Sequence, residues 1–172
     1  VMHASSRLEV EEDSYFPRRY RIERSSKGVE LETSIEMMSN VAIFKGRMND
    51  RTENQTFTLS TGTMFIEGNL VHHRALLLHR YTSAMPGKQN VIIFDPHLKR
   101  ESSAVVEFVG EENVDVNGEE KPLRLYKVSI EKLPEMKLYV DDKGVVIKAS
   151  NGAQDYILTS FEVTEGDIPA GG

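Results

Sequence analysis

Three of the five histidines crowd one short stretch, Leu70–Tyr81, which reads LVHHRALLLHRY. Histidine changes charge near neutrality, so such a cluster invites two kinds of chemistry, metal ligation and proton transfer. Spacing argues against the first. Two helical ligands for one ion stand three or four residues apart. From His72 that step reaches Ala75 or Leu76, and from His73 it reaches Leu76 or Leu77. His72 and His79 lie roughly 10 Å apart along a helix axis, and zinc bonds of about 2 Å do not bridge that distance. The pattern favours histidines on a polar helix face.

Arg74 is the odd residue of the same stretch. At 100° per residue it falls among Leu70, Val71, Ala75, Leu77, Leu78 and Tyr81, the apolar side that would face a sheet. A guanidinium there needs anionic or carbonyl partners, because an unpaired buried charge is expensive. It could grip an anionic ligand group at the mouth of a cavity. Its stem could instead pack on the sheet while its head pairs with a strand Glu or Asp. Asp95-Pro96-His97 supplies two members of a hydrolase triad. No G-x-S-x-G elbow accompanies them, and Asp-Pro also opens turns after strands. The acidic turns at Asp115–Glu119 and Asp141-Asp142 do not fit a calcium loop. No dinucleotide, phosphate-loop or zinc-protease motif occurs. The sequence therefore assigns no catalytic residue, metal or cofactor.

The elements that hold these residues are mostly strands. Val29, Leu31, Thr33 and Ile35 alternate with Glu30, Glu32, Ser34 and Glu36, the period of a strand with one wet face. Further strands are predicted at Val41–Met48, Thr56–Ile66, Asn90–Phe94, Ala104–Val109, Leu123–Ile130, Met136–Val140, Val145–Ser150 and Tyr156–Val163. Asn117-Gly118, the turn ending at Gly144, and Asn151-Gly152 predict sequential hairpins. Only Leu70–Tyr81 reads as a helix, with Asn69 as its cap and Pro86-Gly87 beyond its end. The predicted fold is mainly β: a curved antiparallel sheet, a β-roll or half-open barrel, with one helix packed against it. Phe44, Phe65, Leu76, Leu77 and Tyr81 would line a cavity between sheet and helix, with Arg74 at its entrance. The competing reading of these apolar residues is a filled core.

Composition sets the outer bounds. A chain of 172 residues, 39% hydrophobic and 28% charged, fits one globular domain. Residues 1–13 read as a flexible acidic segment, 14–164 as a single β-rich domain, and 165–172 as a flexible tail. A net charge of -6 with no basic run argues against a nucleic-acid partner. The acidic residues Glu9, Glu11, Glu12 and Asp13 oppose Arg18, Arg19, Arg21 and Arg24, which implies a mixed surface. No apolar run approaches the ~20 residues of a membrane span. Cysteine is absent, which excludes disulfides and thiolate chemistry. The first residue is Val1, as expected after removal of a signal peptide or shortening of a longer chain.

The run Lys137-Leu-Tyr-Val-Asp-Asp-Lys-Gly-Val-Val-Ile-Lys-Ala-Ser150 resembles the closing hairpin of exported bacterial β-proteins of unknown function. That group is similar to the periplasmic lipoprotein-carrier-like fold, an incompletely closed antiparallel barrel with helical cover. The helix Leu70–Tyr81 followed by the strand Val91–Phe94 extends the likeness. The resemblance implies export, to the periplasm or cell surface, and an apolar or amphiphilic ligand such as a lipid held by the sheet. It brings no catalytic residues. Three functions follow as expectations: a non-enzymatic binder of such a ligand, a structural or interaction module of the cell envelope, and a hydrolase using Asp95 and His97.

Overall fold

A computed structural model describes residues 2–11 (side chains from Ser5 onward), 16–68, 70–96 and 98–158. Asn69, His97 and the predicted tail 165–172 lie outside the described residues, as does most of the strand predicted beyond Ile157. The protein is mainly β, as its alternating residues require, and its strands divide between two sheets. Strands β1 (Met2–Val10), β2 (Pro17–Ser26), β3 (Val29–Met38), β4 (Val41–Met48) and β5 (Arg51–Thr58) form an antiparallel sheet in chain order. The second sheet runs β12-β11-β10-β9-β8-β7-β6. Its members are β6 (Met64–Phe65), β7 (Lys88–Asp95), β8 (Arg100–Val116), β9 (Glu119–Ile130), β10 (Met136–Val140), β11 (Val146–Ser150) and β12 (Asp155–Ile157). Among the described residues only the short β6–β7 pair is parallel, and the one α-helix, α1 (Val71–Leu76), makes the crossover between them.

The hairpin expectations hold where turn chemistry is strong. Asn117 and Gly118 both take positive φ, 58° and 86°, and join β8 directly to β9. Asp141 Oδ1 accepts the backbone N–H groups of Lys143 and Val145, at 3.0 and 2.8 Å, and so shapes the β10–β11 turn.

Two of the differences from the sequence reading concern how strands are assigned to the sheets. Met2–Val10, expected to be loose, is strand β1, paired along β2 from Met2↔Ser26 to Val10↔Pro17. The opposed charges noted in the sequence stitch this end: Arg18 meets Glu11 at 3.1 Å and Arg19 meets Glu9 at 3.7 Å. Leu8 adds its side chain to the core. The strand predicted over Thr56–Ile66 is two strands in different sheets, because the chain turns at Thr61-Gly62 and crosses over.

Two main apolar clusters hold the sheets. Tyr20, Ile22, Ile35, Met37, Ala42 and Phe44 of the first sheet pack with Leu59, Phe65 and Phe94, so this cluster joins the sheets. Ring contacts cross the join, with Tyr20–Phe65 centroids at 4.8 Å and Phe57–Phe94 at 5.1 Å. The second cluster, around Met64, Leu77, Ile93, Val106, Val128 and Leu138, lies where the helix covers the second sheet. Phe65 and Leu77, expected to line a cavity, are fully buried members of these clusters.

The helix is shorter than predicted. Val71–Leu76 is α-helical and Leu77–Arg80 tightens into a 3-10 turn. Its first capping position is Leu70, with no side-chain cap bond. Its inward residues are His73, Arg74 and Leu77, so His73 is not on the polar face. Arg74 is 2% exposed, and burial pushes its pKa down. Neither an entrance nor a strand carboxylate explains it. Its Nε donates to the Gly68 carbonyl at 2.6 Å, and Nη1 donates to the carbonyls of Pro134 at 2.8 Å and Val128 at 3.4 Å. The guanidinium thus ties the helix to the β9–β10 connection. Gly68 belongs to the same contact, because a Cβ there would stand 2.3 Å from Leu133 Cδ1. Arg74→Ala is expected to lower the unfolding free energy by roughly 2–4 kcal/mol, since it orphans buried carbonyls and removes the stem's packing. The shift in urea midpoint measures it, and a variant as stable as the parent contradicts this role.

Candidate functional site

The described residues hold one polar cluster that is almost fully buried. Glu67, on the connection from β6 to α1, is 1% exposed. Its carboxylate accepts hydrogen bonds from the Tyr20 hydroxyl and the Arg24 guanidinium, both from β2. Its backbone N–H donates to His73 Nδ1 at 2.9 Å. That bond makes Nδ1 the acceptor, so the proton of the neutral ring sits on Nε2. Nε2 is buried with no hydrogen-bond partner. The Tyr20 and His73 rings meet edge-on at 5.2 Å. Burial pushes the Tyr20 pKa up, and the neighbouring Glu67 pushes it further. Burial, then His72, lowers His73 to about 3.

These groups are arranged for structure more than for reaction. The Glu67 charge is compensated, Tyr20 holds its proton, and His73 stays neutral. Among the described residues no cluster of three or more His, Cys, Asp or Glu could hold a metal ion. His72 and His73 touch edge-on at 4.5 Å, but neighbours in sequence cannot both aim at one ion from one helix face. Asp95 is buried and closes the turn after β7: its Oδ1 accepts the Leu98 N–H at 3.1 Å and its carbonyl accepts the Lys99 N–H at 2.8 Å. His97 lies outside the described residues, so no Asp95–His97 pair is assembled by what the structure describes.

An apolar groove lies beside the helix. Because α1 and its 3-10 turn end after ten residues, they cover only part of the second sheet. The groove, of about 610 Å³, runs between the helix and strands β11 and β12, within the roughly 300–1,000 Å³ typical of small-molecule sites. Leu76 and Ala75 form its helix wall, and Val146, Ala149, Tyr156 and Leu158 form its sheet wall. Tyr156 and Leu158 are 41% and 38% exposed, so its outer end is open. Its polar lining is His72, His79, Lys143 and Lys148, and no carboxylate is among its lining residues. Lys148 also pairs with Asp155 at 3.0 Å. Desolvation by the apolar wall lowers the pKa of His72 and His79.

The predicted lining residues therefore separate. Leu76 lines the groove. Tyr81 is half-buried against Tyr126, ring centroids 5.5 Å apart, and is not among the residues lining the groove. Phe44 lines a different cleft, between the sheets, while Phe65, Leu77 and Arg74 are interior. The sheet wall of the groove was not singled out in the sequence. Tyr156 and Leu158, alternate residues after the Asn151-Gly152 turn, were its available signal.

Fold and groove together define a barrel-like β-protein with a partly covered sheet. No family model matches the chain, and no curated protein does. Among solved structures, a beta-barrel-like protein of the domain of unknown function DUF1849 from Brucella abortus is similar, with a TM-score of 0.54. Identity is 11%, over 90% of this chain and 69% of that one. The likeness is one of fold, to a β-protein whose function is itself unknown.

The polar cluster yields a direct expectation. His73 binds no proton in the folded state until pH falls toward 3, whereas an unfolded histidine does so near 6.5. The unfolded state then binds more protons between those values, so this residue's contribution to stability falls as pH drops from about 6.5 toward 3. Carbon-resolved NMR of the imidazoles should show His73 unchanged from pH 8 to 5, and a His73 midpoint near 6.5 would contradict its burial.

Proposed function

We propose that the protein is a non-enzymatic binder of a single-tailed amphiphile with an anionic head, such as a fatty acid or lysolipid. The observation that carries this reading is the groove beside α1. Its two walls are apolar, and apart from the Tyr156 phenol every ionisable side chain lining it is histidine or lysine. An acyl chain between Leu76 and Val146 would remove apolar surface from water at about 25 cal/mol per Å². A carboxylate or phosphate at the rim would meet Lys143, Lys148 and the two histidines. The resemblance of the hairpin Lys137–Ser150 to exported bacterial β-proteins of unknown function, a group similar to the lipoprotein-carrier-like fold, is the ground for expecting such a ligand and export to the periplasm or cell surface. Fractionation of cells making the natural protein tests that last point, and recovery with the cytoplasmic fraction argues against it.

A second reading, an interaction module of the envelope, draws on the first sheet. Its edge strand β5 is exposed along seven of its eight residues and contains no proline. Bare edges recruit other strands, although Arg51 and Glu53 are the kind of charges that discourage it.

The readings separate in one titration. Delipidated protein should raise the fluorescence of cis-parinaric acid, and Ala75→Trp, which places an indole in the groove, should weaken that binding tenfold or more. Native mass spectrometry of freshly purified protein should show a co-purified amphiphile. Absence of both signals, or unchanged binding by a folded Ala75→Trp protein, would sink the amphiphile reading. A concentration-dependent oligomer lost on adding proline within β5 would favour the second.

A further inference from the structure

A second cleft lies between the two sheets, away from the groove. It holds about 390 Å³. Tyr20, Ile22 and Phe44 form its buried wall, and the Glu67 carboxylate lies at its floor. Gly46, on the same strand as Phe44, shapes the space. A Cβ at Gly46 would come within 3.0 Å of Phe44 Cε1, so the missing side chain lets the ring lie back along its strand. The room in front of the ring is the cleft.

The charge of this cleft opposes that of the protein. The chain carries a net charge of -6, yet Arg24, Arg47, Arg51 and Lys99 line the cleft against only Glu53 and Glu67. The Glu67 carboxylate is committed to Tyr20 and Arg24. Lys99 bonds Glu53 at 2.6 Å and sits 4.6 Å above the Phe44 ring. Arg47 reaches outward to Glu32 at 3.1 Å. Arg51 has no ion pair among the described residues, which leaves a cation at the rim.

We propose that this inter-sheet cleft is a ligand site in its own right, for a compact carboxylate with a ring-bearing apolar body. The body lies against Phe44 and Tyr20, and the carboxylate stays at the rim with Arg51 and Lys99. At the ~30 Å³ that one water molecule occupies in the liquid, the space takes about a dozen non-hydrogen atoms. A long acyl chain does not fit, so the occupant differs from that of the groove, and neither reading depends on the other.

Phenylbutyrate is a probe of suitable size, and phenylbutanol is its uncharged counterpart. Titrated into the isotope-labelled full chain, phenylbutyrate should shift the amide signals of Leu31, Gly46 and Thr52 and leave Val146 and Tyr156 unmoved. Phenylbutanol should bind at least fivefold more weakly. Arg51→Ala, an exposed change on an edge strand, should weaken phenylbutyrate about fivefold while the spectrum confirms the fold. Gly46→Ala should drive the Phe44 ring into the cleft and abolish binding. The proposal is overturned if the shifts fall at Val146 and Tyr156 or nowhere, if the alcohol binds as well as the acid, or if Arg51→Ala leaves affinity unchanged.

Discussion

The structure depends on satisfying one buried carboxylate. Glu67 leaves the second sheet just after β6 and enters the join between the sheets, where water cannot solvate it. An uncompensated charge there costs several kcal/mol. It is compensated by two residues of a single strand in the other sheet, Tyr20 and Arg24, which stand on one side of β2. This geometry fixes how β2 lies over the β6–α1 connection. A hydrophobic contact would tolerate sliding between the sheets. A carboxylate held from two directions does not, because each displacement breaks a bond and strands a charge. His73 closes the arrangement by accepting the Glu67 amide, so the helix is tied to the same point.

The helix's position follows from two polar anchors in its middle, and its limited cover follows from their placement. His73 and Arg74 are adjacent, and both point inward. One engages the backbone before the helix; the other engages Gly68 and the connection after β9. Both hold the middle of α1, and neither secures its far end. Beyond Leu76 the chain tightens into a 3-10 turn and leaves toward β7. The sheet continues to β11 and β12 without that cover. The groove is thus what remains when a short, strongly anchored helix meets a sheet wider than itself.

How much of this was legible in the sequence depended on whether the signal was local. Hairpins after Val116 and Val140 were readable, because Asn117-Gly118 and the Asp141 turn carry their instructions within four residues. The helix was readable from the lack of Gly and Pro and the scarcity of β-branched residues in Leu70–Tyr81. Strand β2 was not predicted, since only Tyr20 and Ile22 stand out from the charges of PRRYRIERSS. In strand β1 the run Ser5-Ser6-Arg7 separates Met2 and Ala4 from Leu8 and Val10, and its pairing relies on β2. Thr56–Ile66 looked continuous because its alternation persists up to the turn at Gly62. The inward turn of His73 was hidden most deeply: its partner is a backbone amide in a connection, which residue types do not announce. Arg74 was recognised as anomalous, but its carbonyl partners at Val128 and Pro134 lie more than fifty residues away.

Both clefts set basic side chains around apolar walls on an acidic protein, and this combination constrains what either can select. At physiological salt, charges are screened over about 8 Å. The overall charge of -6 repels an anion, screening confines that repulsion to short range, and the rim cations act only once a ligand is already close. A small, strongly hydrated anion gains little there, because exposed ion pairs contribute at most ~1 kcal/mol. A neutral apolar molecule gains burial but leaves Lys143 or Arg51 facing no counter-charge. The molecule that gains from both is one whose apolar part enters and whose anionic part stops at the rim. Size then divides the two clefts, since the wall of Phe44 and Tyr20 is short and closed by Glu67, while the wall of Leu76, Val146 and Tyr156 is long and open at its outer end.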